Sequence, residues 1–141
     1  MTSERIHATM VRLGHAGVLL TGDSGAGKSD LAIRLIDRGG MLVADDQVIL
    51  AAVGGVLYGD AVPGFAGRIE ARGLGILDVP AAGRTRVTHH FALSNDPARM
   101  PVEEERHFCG VALPSRQIDA RAASAPILVG MGIGMPPNAV L

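Results

Sequence analysis

At 141 residues, 48% hydrophobic and 19% charged, the chain is long enough for one domain with a substantial core. A formal net charge of −1 without any basic run argues against nucleic acid or an anionic membrane as the main partner, and 3% aromatic residues leave no stacking platform for single strands. Cys109 is the single cysteine, which excludes an internal disulfide, and with no signal-like or transmembrane run the chain reads as cytoplasmic.

Arg5 through Leu13 alternate loosely enough for a strand. Gly14-His15-Ala16-Gly17 then reads as a tight turn into a second strand over 18–21. His7 is thereby expected on the strand neighbouring the one that enters the next loop, where spacing alone favours a half-buried histidine with its hydrogen bonds satisfied. His15, in the turn, is expected in solvent.

The most informative stretch follows. Gly22-Asp23-Ser24-Gly25-Ala26-Gly27-Lys28-Ser29 fits G-x-x-x-x-G-K-[ST], between the apolar Val18-Leu19-Leu20 and a segment whose Leu31, Ile33, Leu35 and Ile36 recur at helical spacing. Strand, glycine-rich loop and helix in that order make a phosphate-binding loop. The glycines let successive N–H groups turn inward, the helix adds the positive end of its dipole, Lys28 reaches the outer phosphates and Ser29 holds a magnesium ion. Lys28 is the only lysine in the chain. An ammonium on a flexible stem and a planar guanidinium are poor substitutes at a phosphate pocket, which gives a reason for one lysine to stand here amid arginines.

The helix is predicted over Ser29 to Arg38, stopped by Gly39-Gly40. Met41 to Ala44 is an apolar strand with Asp45 and Asp46 at its carboxyl end, the place where open α/β sheets hold ligands. Alone the two acids would suit a surface turn equally well. One helix after a phosphate loop, they are candidates for magnesium ligation and proton abstraction, and adjacent residues on extended chain point apart, so they divide these tasks.

Period-two patterning from Gln47 to Gly59, broken at Gly54-Gly55, predicts a β-hairpin. A loop follows to Gly67, and Glu70 to Val79 is a charged, glycine-broken segment leading into an apolar strand. Residues 84–93 alternate and predict one further strand. His89 and His90 are adjacent, so only one can face a given site, and no cysteine or further histidine stands at zinc-ligand spacing. Ser94 to Met100 reads as a polar loop carrying Arg99, Glu103 to Glu105 as a solvated acidic face and Gly110 to Pro114 as a short strand. Cys109 reads as a small core residue rather than a nucleophile. Arg116, Asp119 and Arg121 lie in a mixed segment before a last strand or helical turn at Pro126 to Val129. The pattern fits one domain over 1–141 with residues 130–141 a flexible tail. The fold class is α/β, a mixed β-sheet around the phosphate loop with few helices. A regular doubly wound fold does not fit.

Three stretches together resemble one family. Gly22 to Ser29 with Asp30, Val43-Ala44-Asp45-Asp46, and Glu70-Ala71-Arg72-Gly73-Leu74-Gly75-Ile76-Leu77-Asp78-Val79 resemble the catalytic domain of the bifunctional HPr serine kinase/phosphorylases. The last stretch is similar to the family's own signature. The resemblance spans about residues 5 to 121, and it implies a fold like that of phosphoenolpyruvate carboxykinase and the short form known from α-proteobacteria. It also implies an ATP- and Mg2+-dependent phosphorylation of a serine on the phosphocarrier HPr, with reversal by phosphate to release pyrophosphate. By the same resemblance Gly22, Asp23, Ser24, Gly25, Ala26, Gly27, Lys28 and Ser29 bind the phosphates, and Ser29 and Glu70 hold the metal. Asp45 is the general base, Asp46 orients the site with Lys28 and His7, and Arg99 belongs to a mobile loop. The family's hexamer is implied as well. The alternatives are a P-loop kinase of a small molecule and a nucleotide-binding regulatory module. A guanine-reading Asn-Lys-x-Asp motif is excluded because the one lysine is already in the loop.

Overall fold

The computed structural model describes residues 2–98, 101–102 and 104–136. In chain order the elements are β1 (Thr2–His7), β2 (Thr9–Leu13), β3 (Ala16–Thr21), α1 (Lys28–Asp37), β4 (Met41–Ala44), β5 (Gln47–Val53) and β6 (Val56–Ala61). There follow β7 (Arg68–Ala71), β8 (Gly75–Asp78), β9 (Thr85–Arg86), β10 (His89–Leu93), β11 (Glu104–Phe108), β12 (Val111–Ile118) and α2 (Ala125–Gly132). The helix after the glycine loop, the strand before the acidic pair and the hairpin across Gly54-Gly55 all form as their patterns predict.

A six-stranded mixed sheet in the order β11-β12-β10-β3-β2-β4 is the centre of the molecule, and β3 pairs in parallel with β10, which pairs in parallel with β12. Alternation along its strands sends side chains to two cores. Val18 and Leu20 of β3 join Leu31 and Leu35 of α1 and Val129 of α2 on one face. Leu19 joins Val48, Leu50 and Leu57 on the other, beneath an antiparallel sheet of order β1-β5-β6-β9. The result is three layers: helices, central sheet, second sheet.

Two segments that read as single strands each divide between these sheets. Residues 5–13 break at Ala8, so β1 pairs with β5 in the outer sheet while β2 pairs with β3 and β4 in the central one. Their alternation looked loose because β1 is exposed except at Ile6, whereas β2 is buried on both faces. Residues 84–93 divide in the same way. Val87 N–H bonds the Leu57 carbonyl at 2.9 Å and Thr88 N–H the Gly17 carbonyl at 2.8 Å, which hands the chain from one sheet to the other. The Arg86 carbonyl lies so near Gly17 that any Cβ there would collide with it.

Other differences are local. The signature segment leads into a strand as expected, and it does so as a β7–β8 hairpin whose second strand is exposed, with Ile76 66% accessible and Leu74, in the turn, 77%. Glu104–Phe108 is a strand, paired antiparallel with β12, and Glu104 and Glu105 at its start are exposed as expected, while Glu103 lies outside the described residues. Pro126 to Val129 are helical, and α2 takes in Gly130, Met131 and Gly132, the first residues of the expected flexible tail. Residues 137–141 lie outside the described residues, as does Arg99.

Met10 is fully buried between the two sheets, beside Gly17 and Gly59. Removing its side chain leaves a void that the two backbones cannot close. Met10→Ala is therefore expected to lower the unfolding free energy by about 2–5 kcal/mol in a urea titration.

Candidate active site

β3, β4, β10 and β12 run in the same direction, because β2 is antiparallel to both β3 and β4. The glycine loop, the acidic pair, residues 94–95 and residues 119–121 consequently leave the central sheet at one edge, where an α/β sheet offers backbone groups to a ligand. In the loop itself Gly22, Gly25 and Gly27 have φ of 156°, 84° and 98°. These values are costly for any residue with a Cβ and explain the glycine spacing.

Lys28, the first residue of α1, folds back over the loop, its Nζ donating to the carbonyls of Gly22 at 2.7 Å and Asp23 at 3.0 Å. It is buried, and burial lowers its pKa while Asp46, Asp23 and Asp45 pull it back up. The ammonium thus lies against the backbone at the start of the loop.

The acids do divide, as their adjacency predicts. Asp45 is gripped from three elements. Its Oδ1 accepts the hydroxyls of Ser29 (2.6 Å) and Thr9 (2.9 Å), and its Oδ2 accepts the Glu70 amide at 3.0 Å. Asp46 turns away at φ 67°, a left-handed backbone that Asp tolerates better than most residues, and its carboxylate is 73% exposed. It sits 3.4 Å from His7 Nδ1, while His7 Nε2 lies 3.4 Å from Ser24 Oγ. His7 therefore does meet the loop, but from the end of β1 in the outer sheet, and not from the strand beside β3. Glu70 is brought in through its backbone, and its side chain is exposed.

Two clefts flank this arrangement. One of about 270 Å³ is lined by Arg5, Asp45, Asp46, Val62 and Phe65. The other, of about 260 Å³, borders Asp23 to Ala26 on the opposite side of the loop. Of these contributors, Thr9 and the clefts' more distant walls were not legible as site residues. Thr9 lies in a buried strand and its role depends on a register that sequence periodicity does not supply.

His90 is a further buried polar residue near the loop. Its Nε2 is 2.7 Å from the Thr21 hydroxyl and its Nδ1 2.6 Å from that of Ser115, so it joins β3, β10 and β12 beneath the loop. Burial, with Arg106 adding repulsion, lowers its pKa from 6.5 to about 4. Between those two values the unfolded chain binds the proton that the folded one refuses, so stability falls as pH drops from 6.5 through 4. The expected loss is about 3 kcal/mol, at 1.36 kcal/mol per pKa unit, and His90→Asn should remove that part of the pH dependence in urea titrations at pH 7 and pH 4.

A family model of the HPr Serine kinase C-terminal domain matches residues 1–94, two thirds of the chain and the part that carries the loop, the acidic pair and the β7–β8 hairpin. The chain belongs to that family. This family member is similar to the HPr kinase/phosphorylases of Clostridium acetobutylicum, 48% identical over 77 residues, and Clostridium novyi, 47% identical over 77 residues. Each match covers 55% of this chain but 25% of the relative, so the chain spans about a quarter of the length of the curated relatives it matches. Among solved structures, that of the Hpr(Ser) kinase/phosphatase from Coxiella burnetii superposes with a TM-score of 0.82 at 27% identity, over 92% of this chain and 93% of that one.

Hard oxygen donors suit a magnesium ion, and the Ser29 hydroxyl in the first turn of α1 and the exposed Glu70 carboxylate are of that kind. Among the described residues no three His, Cys, Asp or Glu side chains cluster as a metal cage. That set is what a metal shared with substrate phosphates needs, because magnesium keeps several waters and takes only one or two protein oxygens. No described helix is long and apolar enough to cross a membrane.

Proposed function

We propose that this chain transfers the γ-phosphoryl group of ATP to a serine hydroxyl of HPr in the cytoplasm, and that the Gly22–Ser29 loop binds the phosphates. The observation that carries the reading is the meeting at one sheet edge of the Lys28-closed glycine loop with Asp45 and Asp46, in a chain of the HPr kinase family.

The inward N–H groups of the loop and the ammonium of Lys28 hold the β- and γ-phosphates and meet charge on the transferred group. Ser29 and Glu70 would hold a magnesium ion, which would supply further charge neutralisation. The acceptor serine enters through the cleft beside Asp45 and Asp46. Asp45 takes its proton as the serine oxygen bonds the γ-phosphorus and the bond to the β,γ-bridging oxygen breaks, with ADP leaving. Three donors occupy Asp45 here, and a carboxylate has about four lone-pair sites, so one remains for the incoming hydroxyl. Asp46 and His7 orient the loop through Ser24, and Arg99 is taken as a further catalytic residue. In reverse, phosphate attacks the phosphoserine, Asp45 returns the proton and pyrophosphate is released.

The same proposal takes the fold lineage as that of phosphoenolpyruvate carboxykinase and the assembly as the family's hexamer. An assay of purified protein with Mg2+, ATP and HPr, run beside a size measurement, tests it. Phosphoserine on HPr is expected. Phosphorylation of a small-molecule acceptor in the absence of phospho-HPr would overturn the substrate assignment.

A further inference from the structure

Resting on the reading of Gly22–Ser29 as a phosphate loop, we infer that the 260 Å³ cleft on the loop's far side is a ribose subsite, in which Asp119 accepts the sugar hydroxyls of the nucleotide and no group selects the base.

Position is the first ground. Asp23 to Ala26 form one wall of the cleft, so whatever fills it is continuous with phosphates bound in the loop. Its other walls are Leu93 at the end of β10, Ser94 and Asn95 after it, and Asp119 and Arg121 after β12. Those two strands run parallel to β3, so the cleft opens beyond their carboxyl ends, alongside the loop.

Chemistry is the second. Two of the lining residues, Asp23 and Asp119, are carboxylates against the single cation Arg121, which disfavours a further anion and suits a neutral group rich in O–H donors. Asp119 is held in place to receive it. Its Oδ1 accepts the Arg121 backbone N–H at 2.9 Å and the Arg121 Nε at 3.3 Å, and Oδ2 has no hydrogen-bond partner among the described residues. A carboxylate so fixed beside a phosphate-binding turn is the way dinucleotide folds hold a ribose diol.

The third ground is what the walls lack. Among the described residues the lining has no aromatic ring and Leu93 is its one large apolar side chain, while Ser94 and Asn95 can both donate and accept, so a base at the cleft mouth would be neither stacked nor held to one donor–acceptor pattern. Arg121, 68% exposed, can accompany any base.

Calorimetric binding of ATP, GTP, 2′-deoxy-ATP and inorganic tripolyphosphate to the whole chain, with Mg2+, tests this. Wild type is expected to bind ATP and GTP within a few-fold of one another, and tripolyphosphate on the order of ten- to a hundredfold more weakly, the value of hydrogen bonds to a charged acceptor. Asp119→Ala should weaken ATP to the level of tripolyphosphate while leaving tripolyphosphate unchanged, and Asp119→Asn, which preserves the turn at Arg121, should fall between. Removal of one ribose hydroxyl in 2′-deoxy-ATP should cost wild type more than Asp119→Ala. Wild-type ATP affinity in Asp119→Ala, or a strong preference for one base, would overturn the subsite while tripolyphosphate binding left the phosphate loop standing. Failure of tripolyphosphate to bind wild type would remove both readings together.

Discussion

Lys28→Ala is expected to lower the rate of phosphoryl transfer to HPr by roughly a hundred- to a thousandfold, the range for removing one preorganised charge from a transferring group. The variant should still fold. Lys28 makes its two hydrogen bonds to partly buried carbonyls of its own loop and belongs to neither hydrophobic core, so their loss leaves the sheets and helices in place. Thermal unfolding and the transfer rate, measured side by side, separate these effects. Lys28→Arg should remain impaired despite its charge, because the lysine stem is nearly enclosed, at 7% exposure, and a planar fork cannot follow the same path to two carbonyls six and five residues back. Wild-type transfer by Lys28→Ala would sink the kinase reading as a whole.

Asp45→Asn carries the second large effect, and it acts on chemistry and structure at once. As general base Asp45 is worth roughly 10²- to 10⁴-fold in rate. As an acceptor it receives donors on both oxygens, from Ser29 and Thr9 on one and the Glu70 amide on the other. With its amide oxygen on the Glu70 N–H, the NH2 faces the Ser29 and Thr9 hydroxyls, which must rotate to accept, so the exchange of charge-assisted for neutral hydrogen bonds costs about 0.5–1.5 kcal/mol of stability beside the loss of rate. Asp46→Asn breaks only the exposed contact with His7 and should change stability little. Transfer rates and urea midpoints of both variants, compared with ATP affinity, decide between the two acids. A larger loss of rate in Asp46→Asn than in Asp45→Asn would move the base to Asp46, whose carboxylate is the more accessible and has His7 beside it.

What the chain's order of residues determined by itself is the local chemistry of the site. The loop, its helix, the strand that ends in Asp45 and the hairpin at Gly54-Gly55 are short-range patterns in which glycine spacing, helical periodicity and turn residues act within a few positions of each other. The different surroundings of Asp45 and Asp46 were legible too, although the divergence comes from a bend with Asp46 at φ 67° and not from the extended chain that the pattern suggests. Tertiary structure alone decided which sheet each strand enters. Residues 5–13 and 84–93 each look like one strand because alternation reports exposure and says nothing of a partner, and a chain that steps between stacked sheets keeps its period across the step. His7 reaches the loop from the outer sheet, Thr9 reaches Asp45 from β2, and Asp119 comes to the same edge from β12, nearly a hundred residues after the loop. Such contacts follow from register and layer packing, where partners far apart in the chain compete on nearly equal terms until the core selects among them. The glycine loop and its helix were therefore legible from a dozen neighbouring residues, while the groups that surround them needed the whole fold.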